Sequence, residues 1–180
     1  MFIALKSRVL RVLLCLWFVP LGGCVGIPPQ VQPVERFDAK RYLGTWYEIA
    51  RLDNRFERGL EKISATYSPR ADGGILVLNK GYDSRRNVWK EAEGKAYFVD
   101  QPSIGRLKVS FFGPFYGAYN IIELDRENYT YALICGSDMD WLWILSRSQV
   151  LEKPVLDRLI AKARSAGFDT DKLIFVDHSE

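Results

Sequence analysis

The stretch Gly44-Thr45-Trp46-Tyr47-Glu48-Ile49-Ala50-Arg51 opens an unbroken run of short segments with the composition of β-strands. The last of these segments begins at Trp141 and ends at Arg147. If the sheet closes on itself, the planar guanidinium group at the end of the last strand can lie flat over the indole ring near the start of the first. The two ends of the run therefore predict a closed β-barrel.

Clusters of Asp, Asn, Gly and Pro divide this run into eight predicted strands. The predicted strands are residues 44–52, 62–68, 75–82, 88–99, 107–112, 117–124, 129–135 and 141–147. Because no helical pattern lies between them, the strands indicate an antiparallel meander. Eight such strands can close into an up-and-down barrel, which removes exposed sheet edges and leaves room for one small ligand.

A helical pattern follows the barrel strands. Pro154 suits the first turn of a helix, and Gly167 can end it. We expect this helix, residues 154–166, to pack on the outside of the barrel, and residues 173–176 to form a short final strand. The predicted fold class is therefore all-β, an eight-stranded antiparallel up-and-down barrel with one C-terminal α-helix.

The N-terminus has the features of an export signal. Lys6, Arg8 and Arg11 supply positive charge, and the apolar run at residues 12–19 is too short to span a membrane comfortably. These features predict a signal peptide over residues 1–23. The same three residues account for the whole excess positive charge of the chain, so the remainder is neutral and gives no electrostatic reason to expect nucleic-acid binding.

The sequence Leu21-Gly22-Gly23-Cys24 resembles the bacterial lipoprotein box. The resemblance implies that Cys24 becomes the first residue and carries acyl chains on its sulfur and amine, which together anchor a protein firmly to a membrane. Because residue 25 is valine and not aspartate, the sorting pattern of such proteins implies the outer membrane and its periplasmic face. An ordinary secretory signal with an incidental cysteine is the alternative. Residues 24–35 then form an extended Pro-rich tether, and residues 36–180 form the domain.

Three motifs carry a resemblance to the lipocalin family. They are residues 44–61, residues 111–116 and residues 142–147, and they are most similar to the bacterial outer-membrane group related to apolipoprotein D. The family's Thr-Asp-Tyr motif reads Leu124-Asp125-Arg126 here, so only the aspartate matches. The resemblance covers about residues 36–178 and implies that Gly44, Trp46, Asp125 and Arg147 close one end of the barrel as structural residues.

Strand alternation predicts which side chains point into the barrel. Trp46 places Glu48 and Ala50 on its own side, and Arg147 places Trp143 and Trp141 on its own side. The family pattern aligns the other strands, with small residues such as Gly94 forming one receding wall. The predicted ligand-lining residues are Phe56, Ala65, Val77, Asn79, Ala92, Val109, Phe111, Tyr119, Ile121, Trp141 and Trp143.

The loop at residues 52–60 is the expected lid over the open end of the barrel. Phe56 is expected to touch a ligand there, and Arg55 or Arg58 to meet an anionic head group. A solvated loop with scattered charges is the alternative. The polar groups of Asn79, Glu48 and Tyr119 can orient a head group from within the barrel.

The chain lacks the residues that catalysis or metal binding requires. His178 is the only histidine, and after removal of the signal peptide and lipidation of Cys24 the only free thiol is Cys135, so we predict neither an enzyme nor a metal site, disulfide or cofactor. The predicted function is that of a lipid-anchored carrier, monomeric or homodimeric, which binds fatty acids or lysophospholipids in the maintenance of envelope lipid. The alternatives are a filled barrel that binds a protein partner and an enzyme that acts on lipid.

Overall fold

The structure is a computed structural model that describes residues 25–179. The described residues form nine strands, which are β1 (Gly44–Arg51), β2 (Leu60–Pro69), β3 (Ile75–Asp83), β4 (Val88–Phe98), β5 (Arg106–Phe112), β6 (Phe115–Leu124), β7 (Tyr131–Cys135), β8 (Leu142–Ser146) and β9 (Ile174–Phe175). Strands β1 to β8 pair antiparallel in sequence order, and β1 also pairs with β8. The sheet is therefore closed, and the predicted eight-stranded barrel is confirmed.

The meander places successive loops at opposite ends of the barrel. We call the mouth the end with the loops at residues 52–59, 84–87, 113–114 and 136–141. We call the floor the opposite end, where the short helix α1 (Ala39–Tyr42) precedes β1. Helix α1 was not predicted, and Asp38 caps it by accepting a hydrogen bond from the Lys40 backbone nitrogen at 2.9 Å.

Two hydrophobic clusters lie on the two sides of the sheet. The inner cluster fills the barrel around Trp46, and the outer cluster lies beneath helix α2 (Lys153–Ser165), whose Leu159 and Ala163 are fully buried. The helix lies within one residue of the predicted range. Strand β9 pairs with β1 on the outside of the barrel, opposite Ala50 and Arg51.

A β-bulge at Ile49 corrects the predicted interior of β1. Glu48 pairs with Leu145, but Ala50, two residues on, pairs with the adjacent Ile144. The extra residue reverses the alternation, so Ile49 and Ala50 both belong to the outer cluster. The prediction that Ala50 faces inward is therefore wrong, and Arg51 takes the inward position.

The segment at residues 25–35, predicted as an extended tether, contains a turn at residues 29–30 and is not a free tether. Val34 belongs to the inner cluster and Val31 to the outer one. The Val34 backbone nitrogen donates to Ile121 O at 2.8 Å, and its carbonyl accepts from Gly105 N at 2.8 Å. These apolar side chains and backbone bonds attach the segment to the barrel wall. Within residues 25–179, no helix has the length and hydrophobicity needed to cross a membrane.

Candidate ligand-binding site

The floor is closed by a cation–π contact between the first and last barrel strands. The Arg147 guanidinium carbon lies 4.0 Å from the centroid of the Trp46 ring, and the Trp46 indole donates to Tyr42 O at 2.8 Å. Gly44 has a φ of +93°, and a Cβ atom there would lie 3.3 Å from Arg147 Nη1. Glycine therefore fits both the backbone angle and the close approach of the guanidinium.

Arg147 also joins three backbone segments at the floor. Its nitrogens donate to Thr45 O, Arg41 O and Leu43 O, each at 2.8 Å, and to Tyr129 O at 3.2 Å. Nearby, the Asp125 carboxylate accepts from three backbone nitrogens and from the Thr130 hydroxyl in the turn between β6 and β7. Tyr129, predicted as the start of β7, lies in this turn with a φ of 57°. These contacts stabilise the floor of the barrel.

Three phenols meet above the floor, and we call them the tyrosine triad. The Tyr119 hydroxyl lies 2.7 Å from the Tyr42 hydroxyl and 2.9 Å from the Tyr67 hydroxyl. Burial raises the pKa of all three phenols, so each remains neutral at physiological pH. The triad therefore places neutral hydrogen-bonding groups inside an otherwise apolar core.

Exposure of the inward side chains increases from the floor toward the mouth. Trp46 and Leu145 are buried near the floor. Ala65, Asn79, Val109, Phe111, Tyr119 and Trp143 are only partly buried, and Ala92 is exposed. The inner face is therefore less completely buried toward the mouth than at the floor, except at Glu48 and Arg51, which are buried.

The predicted lining residues divide between these two halves. Val77 and Ile121 point inward but are only 2% and 0% exposed, so they belong to the packed core and offer a ligand no free surface. The predicted receding wall is also partly filled, because the Phe111 ring lies against Gly94, where a Cβ atom would be 2.7 Å from Phe111 Cδ1. The remaining predicted lining residues stay candidates for ligand contact.

Aromatic side chains form one side of the mouth. Trp141 and Trp143 stack with ring centroids 5.8 Å apart, and Phe56 from the loop between β1 and β2 lies 6.2 Å from Trp141. Phe56 is 56% exposed. These three rings offer an apolar surface that reaches from the interior to the solvent.

A set of hydrogen-bonded side chains, which we call the polar clamp, attaches the loop at residues 52–59 to the barrel. Its members are Glu48, Arg51, Asn54, Glu57 and Trp143. Arg51 donates to Glu48 Oε1 and to Glu57 O, both at 2.9 Å. Trp143 Nε1 donates to Glu57 Oε2 at 2.9 Å, and the Asn54 side-chain amide donates to the same oxygen. The clamp fixes the loop to β1 and β8, so the expected lid is anchored at its base.

The clamp contains a carboxyl group with a perturbed proton affinity. Burial, and then the nearby charge of Glu57, raise the pKa of Glu48 well above its usual value, although Arg51 opposes the shift. Sequence reasoning missed Arg51 because the bulge is invisible to strict alternation. The sequence did contain one signal of the bulge. Glu48 was predicted to face the interior without a counter-charge, and two consecutive apolar residues follow it.

The two arginines expected to meet an anionic head group differ in their contacts. Arg58 is bonded to Asp53 at 2.5 Å, so its charge is already paired. The Arg55 guanidinium lies 4.8 Å from the Phe56 ring centroid at the mouth. Arg55 is therefore the better placed of the two to meet a head group.

The remaining reactive groups lie away from the interior. His178 packs edge-on against Tyr47 and bonds to Glu48 O at 2.8 Å. Cys135 belongs to the outer cluster, and burial raises its pKa to about 12. Among residues 25–179, no group of three His, Cys, Asp or Glu side chains is placed to hold a metal ion. Cys24 lies outside the described residues, so its lipidation stays a prediction.

Comparisons with known proteins give consistent matches over nearly the whole described chain. The family described as Lipocalin-like domain matches residues 37–178. The outer membrane lipoprotein Blc of Vibrio cholerae is 54% identical over 169 residues, covering 94% of this chain and 98% of that protein. The protein of the same name from Escherichia coli K12 is 60% identical over 150 residues, covering 83% and 84%. Insecticyanin from the tobacco hornworm Manduca sexta aligns with a TM-score of 0.71 at 28% identity, covering 86% of this chain and 88% of that one.

Proposed function

The chain belongs to the lipocalin family, and on that premise we propose that it binds a single-chain lipid, a fatty acid or a lysophospholipid, inside its barrel. The observation that carries the proposal is the change in packing along the barrel. Partly exposed inward residues above a packed floor leave room for one narrow apolar chain that enters from the mouth. Family members are binding and transport proteins, which supports a carrier and not an enzyme.

Hydrophobic burial supplies the affinity for such a chain. Apolar surface transferred from water into the barrel contributes about 25 cal/mol per Å². Trp141 and Trp143 offer stacked aromatic surface, and Phe111 and Ala65 are partly buried members of the inner cluster. A flexible lipid tail that follows this surface buries its methylene groups without any charged partner at depth.

The head group is expected to stay at the mouth. Arg55 lies on the loop there and offers a positive charge to a carboxylate or phosphate. The polar clamp holds this loop in place through Arg51 and Glu57. The arrangement suits an amphiphile that has one polar end in water and one buried tail.

The location that we propose is the outer membrane, with acyl chains on Cys24. Relatives at 54% and 60% identity are named outer membrane lipoproteins, which supports this assignment. The residues that follow Cys24 are bonded to the barrel wall, because Val25 O accepts from Arg106 and Gly26 O accepts from Asn120. An anchor on Cys24 would hold the barrel close to the bilayer, where shed lipids are available for storage or transport in envelope maintenance.

Displacement of a fluorescent fatty acid tests the binding proposal. The full chain, stripped of co-purifying lipid, is expected to bind the probe at micromolar concentration and to release it to lysophospholipid. A folded protein that binds neither lipid would contradict the proposal and favour a filled barrel that binds a protein partner. Native mass spectrometry of protein taken from cells separates these two cases, since a carrier is expected to retain lipid.

Cell fractionation tests the anchor separately. The wild-type chain is expected in the outer membrane, and Cys24→Ser is expected to release it into the soluble periplasmic fraction. Cys135→Ser is the matched control because that thiol is buried in the outer cluster. Retention of Cys24→Ser in the membrane would contradict the proposed anchor.

A further inference from the structure

The tyrosine triad has one more hydroxyl hydrogen than its own hydrogen bonds can use. Tyr42, Tyr67 and Tyr119 supply three O–H donors, and the triad contains two hydrogen bonds, both of which involve the Tyr119 oxygen. Among the described residues, these hydroxyls make no other hydrogen bond. Whichever way the bonds run, one hydroxyl hydrogen is left to donate elsewhere.

The exposure of the whole residues favours Tyr119 as the phenol that carries this hydrogen. Tyr42 and Tyr67 are 2% and 7% exposed, whereas Tyr119 is only partly buried. An unsatisfied donor is most costly where water cannot reach it. The favoured arrangement therefore has Tyr42 and Tyr67 both donating to the Tyr119 oxygen, which leaves the Tyr119 hydrogen free.

The surroundings of Tyr119 make this donor distinctive. On β5, Leu107 pairs with Tyr119, and Val109 lies two residues nearer the mouth with part of its surface free. Two bonds accepted by one phenol oxygen polarise its O–H group and strengthen it as a donor. An ordinary acyl chain that reaches this depth would cover the donor without offering it an acceptor.

We propose that Tyr119 donates a hydrogen bond to a neutral oxygen on the inserted part of a lipid tail, so that the barrel selects hydroxylated or keto acyl chains over unmodified ones. This inference rests on the proposed lipid binding and adds a preference for one class of lipid. A neutral acceptor fits better than a carboxylate, because the triad is buried among apolar side chains and holds no cation of its own. The head group would remain at the mouth.

Competition binding with a matched series of acids tests the preference. The probes are hexadecanoic acid and keto derivatives in which the ketone is moved step by step along the tail. At the position that reaches Tyr119, the delipidated full chain is expected to bind the keto acid about tenfold more tightly than hexadecanoic acid. If hexadecanoic acid binds but no keto position is preferred, the inference is overturned and the proposed lipid binding stands. If no acid binds, both fail.

Two phenylalanine variants locate the donor. Tyr119→Phe is expected to abolish the preference, whereas Tyr67→Phe leaves Tyr42 and Tyr119 in place and is expected to keep it. The infrared stretch of the bound ketone gives a direct readout, with a shift to lower frequency in the wild-type protein and in Tyr67→Phe. Loss of the shift in Tyr119→Phe supports the inference. An unshifted ketone in the wild-type complex overturns it, whatever the stability of the variants.

Discussion

The floor and the upper half of this barrel are built from the same strands but differ in packing. At the floor, Trp46 and Tyr42 are buried, and the Arg147 guanidinium covers the Trp46 ring. Toward the mouth, inward side chains such as Val109, Phe111 and Trp143 are only partly buried. With the proposed function, this difference predicts that the floor contributes mainly to stability and the upper half to ligand contact.

The largest effect is expected when a floor residue is removed. Trp46→Ala is expected to lower the free energy of unfolding by about 3–5 kcal/mol, because it deletes a fully buried indole and the support of Arg147. Urea unfolding measures the loss. Fatty-acid affinity of the fraction that remains folded is expected to change little, and a large loss of affinity would remove the distinction between the two ends.

The polar clamp joins the two halves, and its removal is expected to have the next largest effect. Arg51→Met is expected to destabilise the fold by about 3 kcal/mol, at the lower end for a broken buried ion pair, because Glu48 can take up a proton. Thermal unfolding measures this effect. Arg58→Met, in the loop that follows β1 and exposed, is the control and is expected to change stability much less.

A substitution at the mouth is expected to affect ligand affinity. Trp143→Ala is expected to weaken fatty-acid binding about tenfold, because it removes the aromatic surface and the bond that positions Glu57. Isothermal titration measures the affinity. Trp89→Ala is the matched control, since Trp89 packs with Tyr82 on the outer surface, and equal losses in both variants would argue against an interior site.

The smallest expected effect is a change in pH dependence. The pKa of Glu48 is raised above its reference of 4.5, so the folded state binds the proton more tightly than the unfolded state. Stability is therefore expected to fall as pH rises from about 4.5 through the raised pKa. Glu48→Gln is expected to flatten this decline in urea titrations, and Glu91→Gln, an exposed control, to leave it intact. A wild-type curve that rises over this range would contradict the direction of the shift.

The barrel was predictable from sequence because alternation and turn residues are local signals. The contact between the first and last strands was also predictable, since Trp46 and Arg147 are chemically distinctive. The inward list failed where a single backbone irregularity intervened, as at Ile49, because an extra residue reverses the pattern without any marker in composition. The same irregularity brought Arg51 into the barrel and created the polar clamp.

Depth within the barrel was the second thing that sequence did not reveal. Alternation predicts that Val77, Ile121 and Tyr119 point inward, and all three do. It does not predict that the first two are packed while the third keeps exposed surface, because that depends on what each strand meets across the interior. The packing of Val34 against the wall has the same origin, since its partners are distant in sequence.

The most direct test asks which tryptophans touch the bound tail. Bromine on the middle of an acyl chain quenches nearby indole fluorescence, so brominated fatty acid is titrated into the wild-type chain, Trp46→Phe and the double variant Trp141→Phe with Trp143→Phe. The proposed open upper half predicts quenching that persists in Trp46→Phe and largely disappears in the double variant. Quenching that disappears in Trp46→Phe, or a folded wild-type chain that shows none, would contradict it.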